Sequence, residues 1–432
     1  MRKLWSTVMR GRVTHGKRPA YSSVLDLGTE QVKALVLELQ EGECIVVGVG
    51  RAFCEQHDTR AHGAVVDLPA LARSCDRALR EAEDMTERYC GRQVVPDWAV
   101  VGLPNNVTTA QTLSVTNQRS NPQKRVSDRE LTDVLKRAQR LALRQLARRI
   151  RHIQRAEQEE VELLETSVAD IQIDGRRVTT PLGFRGQRLT VSVSNVVVSS
   201  SYLRAIEAMT EELGLELLAT ASGWQALASI LSEKEGICID VGGMASDIVV
   251  VRNGKAWATA SIPAGGRHFT KHLAETLGLP WREAETLKLA YSRGRVQMPG
   301  EDDVRAAMSR VLDAWVGAVE ATLKRLCGPA SLPHRFYLCG GGSSLPGIVD
   351  TLRSHPWMER LDFSRHPEVQ LMQPWEIATV LDRTGQLADR RHISPMAVAS
   401  YVMSGDSKAD PLGRVLWAVK RPSIFAGRGG NA

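Results

Sequence analysis

Short apolar runs broken by glycine-containing turns recur along this chain, which is the pattern of buried β-hairpins. Residues 22–51 contain "SSVLDL", "VKALVLEL" and "CIVVGVG", and residues 237–270 repeat this arrangement from "ICIDVGG" onward. Residues 335–348, "RFYLCGGGSSLPGI", predict a further buried strand that runs into glycines and then a helix. In the stretches between them, apolar residues recur every three or four positions, as in helices, so the pattern predicts an α/β protein.

The helical stretches have recognisable ends. Residues 67–90 place apolar side chains three or four positions apart, and residues 98–104, "WAVVGLP", predict a buried strand that ends at a proline. "SDRELTDVLKRA" begins a helix with Ser127 as the N-cap and Glu130 three residues later, which is a capping-box pattern.

Residues 105–188 differ from both flanks. A polar start is followed by the long basic helix, an acidic stretch and a hairpin around Asp174–Gly175. This order predicts a small α+β subdomain inserted into the first domain. "LTVSVSNVVV", residues 189–198, then predicts a return to a core strand of that domain.

Length and composition bound the class of protein. At 432 residues the chain is too long for one comfortable core, and its 43% hydrophobic and 24% charged residues are ordinary for a soluble globular protein. Neither a transmembrane run nor the apolar core of a secretory signal is present in the sequence. The seven cysteines form no CxxC pair, which argues against zinc and a disulfide framework and favours a reducing cytosol.

Positive charge is concentrated in three segments. The net charge is +7, and the basic residues cluster in 1–18, in 136–155 and near 414–421. Such clusters suit an anionic membrane surface or nucleic acid. Aromatic residues make up 5% of the chain and no base-stacking motif is visible, so we expect the membrane surface and no nucleic acid.

The candidate chemistry lies at the ends of two strands. An Asp-x-Gly sequence occurs at Asp26 and Gly28 and again at Asp240 and Gly242. Glycine lets backbone approach a phosphate closely, and turn N–H groups bind anions. One aspartate from each strand can hold a hydrated Mg²⁺, and Lys33 can add positive charge.

In this order, the motifs resemble those of the actin-like ATPases, and within that superfamily those of FtsA, the actin homologue of bacterial division. "DLGTEQVKALV" and "IDVGGMASDIVVV" resemble the two phosphate motifs, and "LCGGGSSLPGI" resembles the adenosine motif. "IPAGGRHFTKHLAETLGLPWREAETLK" is similar to the loop and helix that follow the second phosphate motif. "DGRRVTTPLGFRGQRLTVSV" is similar to the exit from the extra subdomain of FtsA.

The resemblance, which covers about residues 22–403, implies a fold, cofactors and a site. The fold would be α/β and actin-like, with two ribonuclease-H-like domains around a nucleotide cleft and a small α+β subdomain inserted in the first. ATP and Mg²⁺ would be the cofactors, and Asp26 and Asp240 would hold the metal. The implied cofactor-binding residues are Asp26, Gly28, Thr29, Lys33, Asp240, Gly242, Gly243, Ser246, Asp247, Gly265, Gly266, Glu285, Lys288, Gly340, Gly341, Gly342 and Ser343.

The chain departs from the family pattern at three positions. Met244 and Ala245 stand where the family has a third glycine and a threonine, and His272 stands where it typically has aspartate. Methionine adds bulk beside the phosphates and alanine removes a hydroxyl, which Ser246 could partly replace. Because phosphoryl transfer depends on positioning and electrostatics, we expect at most slow ATP hydrolysis.

The resemblance and the composition shifts together predict domain boundaries. The predicted segments are a basic N-terminal segment (1–20), the first domain in parts (21–104, 189–235 and 371–403), the insert (105–188), the second domain (236–370), and a linker with an amphipathic tail (404–432).

Three basic segments are candidates for membrane contact. "DPLGRVLWAVKRP", residues 410–422, predicts a short helix whose apolar face is a candidate anchor, formed by Leu412, Val415, Leu416 and Val419. A tail packed on the protein body is the alternative. The N-terminal segment is either a second anchor or a disordered tail. For the basic helix at 136–155 we favour an amphipathic helix packed in the insert over a lipid or partner site.

The preferred function is that of a membrane-associated FtsA-like protein, cytoplasmic and peripheral on the inner face of the cell membrane. It would bind ATP, self-associate into protofilaments and tether the division polymer FtsZ. The first alternative is a PilM-like component of a type IV pilus or secretion machine, which holds a peptide of a membrane partner. The second is a small-molecule kinase of the same superfold.

Overall fold

The computed structural model describes residues 20–40, 43–54, 67–154, 160–231, 233–295, 301–327 and 331–404, and the fold is given for these. The strands there are β1 (Tyr21–Leu27), β2 (Gln31–Leu39), β3 (Cys44–Phe53), β4 (Trp98–Leu103), β5 (Thr108–Gln118), β6 (Val161–Ile173), β7 (Arg176–Arg177), β8 (Arg188–Ser199), β9 (Glu216–Ser222), β10 (Gly236–Val241), β11 (Ser246–Arg252), β12 (Lys255–Ile262), β13 (Arg335–Cys339), β14 (Glu368–Leu371) and β15 (Val380–Asp382). The helices are α1 (Leu68–Cys90), α2 (Asp128–Gln154), α3 (Ser200–Glu212), α4 (Gly223–Ser229), α5 (Gly266–Leu277), α6 (Trp281–Ser292), α7 (Glu301–Cys327), α8 (Ile348–Ser354), α9 (Trp357–Arg360) and α10 (Ile393–Ser404).

The first sheet has the strand order β15-β3-β2-β1-β4-β9. β1, β2 and β3 form an antiparallel meander, and β4 adds to β1 in parallel, as expected when a helix connects two strands. α1, which begins at an Asp67 N-cap, packs on β2 and β3 together with residues of α3. The turn between β1 and β2 therefore lies at the end of a sheet that α1 covers on one face.

The second sheet repeats this arrangement. Its order is β14-β13-β10-β11-β12-β5-β8-β6-β7, in which β10, β11 and β12 form the meander and β13 adds to β10 in parallel. α5, α7 and α8 cover this sheet with a core that includes Phe269, Trp315 and Phe336. The two meanders are therefore structural equivalents, one in each half of the molecule.

The inserted subdomain extends the second sheet. β5, β8 and β6 pair antiparallel, and one residue pair, Ala258 with Gln111, joins β5 to β12. α2 packs on these strands through Leu131, Leu135 and Leu146, which are fully buried. The predicted amphipathic helix and the Asp174–Gly175 hairpin are both present, since both turn residues have positive φ.

β8 belongs to the sheet of the insert and also reaches the core of the first sheet. It pairs with β5 from Arg188 to Val198 and with β6 from Leu189 to Ser199. Its first apolar residues cover α2, whereas Val196 and Val198 pack in the cores that contain residues of the first sheet. The return of residues 189–198 to the first domain and the domain boundaries stay predictions.

A helical layer joins the two halves. α4 and α10 lie between the sheets, and their buried residues share one core with Val24 and Val100 of the first sheet and Val249 of the second. Within the described residues, no helix combines the length and apolarity needed to cross a bilayer. The architecture is thus two similar α/β halves around an interface, with an α+β insert in the first, as the sequence predicted.

Candidate nucleotide site

A cleft of about 1140 Å³ opens between the two halves. Both meander turns, the start of α5, α6 and the turn after β13 line it, and so does the Asp389–Ser394 segment that leads into α10. It brings together fourteen of the predicted residues, which are Asp26, Gly28, Thr29, Lys33, Asp240, Gly242, Gly243, Asp247, Gly266, Glu285, Lys288, Gly340, Gly341 and Gly342. Residues separated by more than 300 positions in the sequence therefore share one site.

The two hairpins present their aspartates in the same register. Asp26 near the end of β1 lies opposite Lys33 on β2, and Asp240 near the end of β10 lies opposite Asp247 on β11. In both cases the aspartate sits on a central strand with a parallel neighbour, beside Gly102 and Cys339 respectively. The equivalence explains why both carboxylates meet in the cleft.

Lys33 is the cation paired with the first of these carboxylates. Its Nζ lies 2.9 Å from Asp26 Oδ2. Burial opposes its charge, but the adjacent Asp26 and the more distant Asp240 outweigh burial and raise its pKa. Burial also raises the pKa of Asp240, against the hydrogen bond that Ser394 Oγ donates to Asp240 Oδ2 at 2.8 Å. The site is therefore built to hold positive charge between two aspartates.

Asp247 forms a second polar centre. Asn105 Nδ2 donates to Asp247 Oδ2 at 3.2 Å, and Ser261 Oγ donates to Oδ1 of the same carboxyl group. Burial raises the pKa of Asp247 to about 7, since both hydrogen bonds only partly offset it and the charge of Asp240 adds to it. A carboxyl group with this pKa changes charge near neutral pH.

Several contacts between described residues cross the cleft from the first half to the second. Met244 N donates to Thr29 Oγ1 at 3.2 Å, and Arg267 pairs with Glu30. Two others are the Asn105–Asp247 and Ser394–Asp240 hydrogen bonds. The two halves are thus held together at the site itself.

The Glu285–Lys288 pair is built into the junction of α5 and α6. Lys288 is 7% exposed, and its Nζ donates to Thr270 Oγ1 at 2.8 Å, to Glu285 Oε2 at 2.8 Å and to Gly266 O at 3.1 Å. An exposed ion pair would lack these partners. Lys288 therefore anchors the second half of α6 on the start of α5, while Glu285 stays more exposed beside it at the cleft.

Some glycines of the site are required by packing, and Gly341 is not. Gly340 has φ of 81°, and a Cβ at Gly342 would lie 2.4 Å from Val241 Cγ1. Gly265 has no room for a Cβ either, because the second hairpin's backbone approaches within 2.5 Å of that position. A Cβ at Gly341 would meet nothing within 4 Å, and this residue has no positive φ. Its bare backbone at the cleft wall suits close contact with a flat ligand.

Three predicted residues do not line the cleft. Gly265 lies behind the second hairpin. Ser343 Oγ donates to Gly340 O at 2.7 Å, within its own turn. Ser246 is fully buried: its Oγ donates to Ala264 O at 2.6 Å and accepts from Trp315 Nε1 at 2.9 Å. The hydroxyl of Ser246 is therefore engaged in the core and does not replace the one that Ala245 lacks.

Sequence reasoning missed several residues of the cleft wall. They are Asn105, Arg51, Arg267, Asp389, Arg391 and Ser394. Asn105 follows the proline that ends β4, which is a strand end at the same sheet edge as Asp26, so topology could have indicated it. Arg51 lies on β3 opposite Lys33, and the positions of the remaining residues depend on the packing of α5 and of the segment that leads into α10.

The residues present fit a magnesium–nucleotide complex. Among the described residues, no three His, Cys, Asp or Glu side chains form a metal cage. Two carboxylates with a cation between them suit Mg²⁺, which keeps several waters and takes few protein carboxylates. The unpartnered side-chain oxygens of Asn105 and Asn106, at residues that line the cleft, can bind further polar ligand atoms.

This arrangement of two equivalent halves, paired aspartate hairpins and an interdomain cleft defines an actin-like protein. Comparison with a solved structure agrees: the PilM-PilN type IV pilus biogenesis complex aligns with a TM-score of 0.60 at 18% identity, over 89% of this chain and 98% of that one. The predicted fold class is confirmed.

Within the actin-like class, the chain is FtsA-like. Residues 237–395 match the family described as cell division protein FtsA. The FtsA of Neisseria meningitidis serogroup B is 28% identical over 361 residues, 76% of this chain and 80% of that protein. The FtsA of Pseudomonas aeruginosa is 29% identical over 357 residues, 76% of this chain and 78% of that protein. These comparisons show that the chain is similar to FtsA cell division proteins.

Proposed function

We propose that the chain binds ATP with Mg²⁺ in the interdomain cleft. Asp26 and Asp240 would hold the hydrated metal, and the turn amides of the two hairpins would contact the phosphates. Glu285 would contact the ribose, and the backbone at Gly341 would face the base. When bound, the metal supplies charge neutralisation for the phosphates.

The observation that carries this proposal is the position of Lys33. It lies against Asp26 and feels the charge of Asp240, so both hairpins are arranged around one positive charge. Replacing a partly buried ion pair by apolar residues is often neutral or stabilising, so stability alone gives little reason for charges at this cleft wall. A bound cation and its phosphates give the arrangement a use.

Titration calorimetry tests nucleotide binding. We expect heat with ATP in Mg²⁺ buffer and at least about tenfold weaker binding in EDTA. Asp240→Asn should weaken Mg²⁺-dependent binding to a similar extent, because it removes a carboxylate charge from the metal site. Asp97→Asn, at an exposed position outside the cleft, is the matched control and should bind as wild type. Equal affinities for all four cases would refute the proposal.

We also propose that the chain self-associates into protofilaments and tethers FtsZ to the membrane. The support is its relation to FtsA proteins and the basic segments at 1–18 and 410–422. The proposed anchor residues Leu412, Val415, Leu416 and Val419 lie outside the described residues, as does the N-terminal segment. The peripheral location on the inner face of the membrane is part of this proposal.

Vesicle co-sedimentation with purified FtsZ tests the tether. FtsZ polymers should sediment with anionic vesicles when the full chain is present, and deletion of residues 410–432 should abolish this. Vesicle binding that is undiminished by the deletion would contradict the tail anchor and favour the PilM-like alternative. Binding of the chain to vesicles without recruitment of FtsZ would contradict the tether.

A further inference from the structure

The outer face of α2 carries an unusual concentration of charge. Its inner face packs on β5 and β8 through apolar side chains. The exposed cations, here called the basic stripe, are Lys136, Arg137, Arg140, Arg144 and Arg148. With 3.6 residues per turn they fall within about a third of the helix circumference, opposite the buried residues, and they extend along about 18 Å of the axis.

No acidic residue within the basic stripe offsets its positive charge. Residues 134–148 include no acid, and the exposed Asp133 precedes them. Within the described part of the chain, none of the five cations lies in an ion pair, whereas Arg80 of α1 pairs with Asp76 and Arg305 of α7 with Glu301. Like charges four residues apart repel each other along a helix. An anionic partner would relieve this repulsion.

The shape and chemistry of the stripe favour a lipid surface. The cations lie along the exposed face of a single helix, which offers a line of contact to a plane. No aromatic side chain accompanies them, so nucleic-acid bases have nothing to stack on. Leu141 is 38% exposed beside the cations and can enter the apolar edge of a headgroup layer.

The position of the insert agrees with such a contact. Tyr401 near the end of α10 bonds to Glu165 of β6, from OH to Oε2 at 3.2 Å. α10, which precedes the proposed tail in the sequence, therefore contacts the subdomain that carries the stripe. Two membrane contacts within one chain would act together.

We infer that the basic stripe of α2 binds the anionic headgroups of a membrane and orients the insert toward it. This is a second contact that adds to the proposed tail anchor and depends on charge. Each cation near an anionic surface strengthens binding roughly fivefold at moderate salt, so the stripe could contribute orders of magnitude in affinity.

The experiment measures binding of the full chain to vesicles of phosphatidylcholine with and without 30% phosphatidylglycerol. The test variant is Arg140→Gln with Arg144→Gln and Arg148→Gln. The matched control is Arg204→Gln with Arg282→Gln and Arg310→Gln, three exposed arginines on other helices with no ion pair in the described structure. Both variants lose three charges, and thermal unfolding verifies that both fold.

The stripe variant should lose at least about tenfold in affinity for the anionic vesicles, and the control variant less than twofold. The difference should shrink as salt is raised, because screening weakens surface charge. Equal losses in both variants, or no loss in either, would overturn the inference. So would a stripe variant that keeps vesicle binding but loses binding to duplex DNA or to polyglutamate.

Deletion of residues 410–432 separates this inference from the tail anchor. If the deletion abolishes vesicle binding and the stripe variant of the full chain binds as wild type, the tail anchor stands and the stripe contact is refuted. If the stripe variant alone weakens binding, the stripe contact stands whatever the deletion does.

Discussion

The Asn105 side chain of the first half donates a hydrogen bond across the cleft to the carboxyl group of Asp247 in the second, at 3.2 Å. This bond fixes the distance between the β4 turn and the second hairpin. It also places a carboxyl group with a pKa of about 7 where the two halves meet. The energetics of this contact should therefore depend on pH.

We expect Asp247 to make the folded protein less stable as pH rises from about 4 to about 7. Its folded pKa is raised, so in this window the unfolded chain releases a proton that the folded chain retains, and unfolding is favoured by up to about 1.4 kcal/mol per pH unit. Asp247→Asn should remove this part of the slope and be more stable than wild type at pH 8. Urea unfolding at pH 5 and pH 8 measures it.

Asp97→Asn is the control for that experiment, since it removes an exposed aspartate and should leave the slope as in wild type. Asp240 and Glu30 also have raised pKa values from burial, so some slope should persist in Asp247→Asn. An unchanged slope in Asp247→Asn would show that the unfolding equilibrium does not sense this carboxyl group.

Lys33 should be needed for stability as well as for charge balance. Lys33→Met leaves the half-buried carboxylate of Asp26 without its cation, and losing one partner of a largely buried pair should cost about 3 kcal/mol. Adding Asp26→Asn should recover part of that loss, because the unpaired charge is then removed. Denaturant unfolding of both single variants and of the double variant gives the coupling energy.

Arg80→Met provides the comparison for Lys33→Met. Its ion pair with Asp76 is exposed, so its loss should cost less than about 1 kcal/mol. If Lys33→Met destabilised the protein as little as Arg80→Met, the Lys33 charge would not contribute to stability. If the effects of Lys33→Met and Asp26→Asn on the free energy of unfolding were purely additive, the two side chains would not be coupled.

The sequence predicted the strands of the two hairpins but not strand β5, and the structure shows why. Apolar runs bounded by glycine predicted β1 and β10 because those strands are covered on both sides. β5, "TTAQTLSVTNQ", was not predicted, since its polar side chains pair across the sheet, as in the 2.7 Å contact of Ser114 Oγ with Ser192 Oγ. Cross-strand hydroxyl pairs leave no periodic apolar signal.

The candidate site was predictable where a motif fixed the backbone and not where packing fixed a side chain. Asp26 and Asp240 follow from strand ends, and their meeting in one cleft follows from the equivalence of the two meanders. Arg267 and Ser394 reach the cleft because α5 and α10 are docked at particular angles. Ser246 was predicted to bind the ligand. Its inward orientation depends on Trp315, which lies 69 positions away, so the local sequence does not indicate it.

Ser246→Ala should therefore weaken the fold and leave nucleotide binding unchanged. Removing the hydroxyl leaves the buried Trp315 Nε1 without its acceptor, which costs about 1–3 kcal/mol. Ser354→Ala, at an exposed position, should change stability by less than about 0.5 kcal/mol. Thermal unfolding and nucleotide titration of both variants measure the two effects. A loss of affinity in Ser246→Ala without destabilisation would instead make this hydroxyl a ligand contact.

Restoring the family residues in the second hairpin should increase turnover. Met244 and Ala245 both line the cleft, and the backbone N–H of Met244 is engaged by Thr29. Met244→Gly with Ala245→Thr removes the bulk and adds a hydroxyl donor, and one hydrogen bond to a charged group is worth about 1.5–3 kcal/mol. We expect phosphate release from ATP to rise roughly tenfold or more.

The same pair combined with Asp240→Asn should show no gain, which distinguishes the protein's own activity from a contaminant. If the pair binds and hydrolyses ATP as wild type does, the slow turnover expected here has a cause outside these two positions.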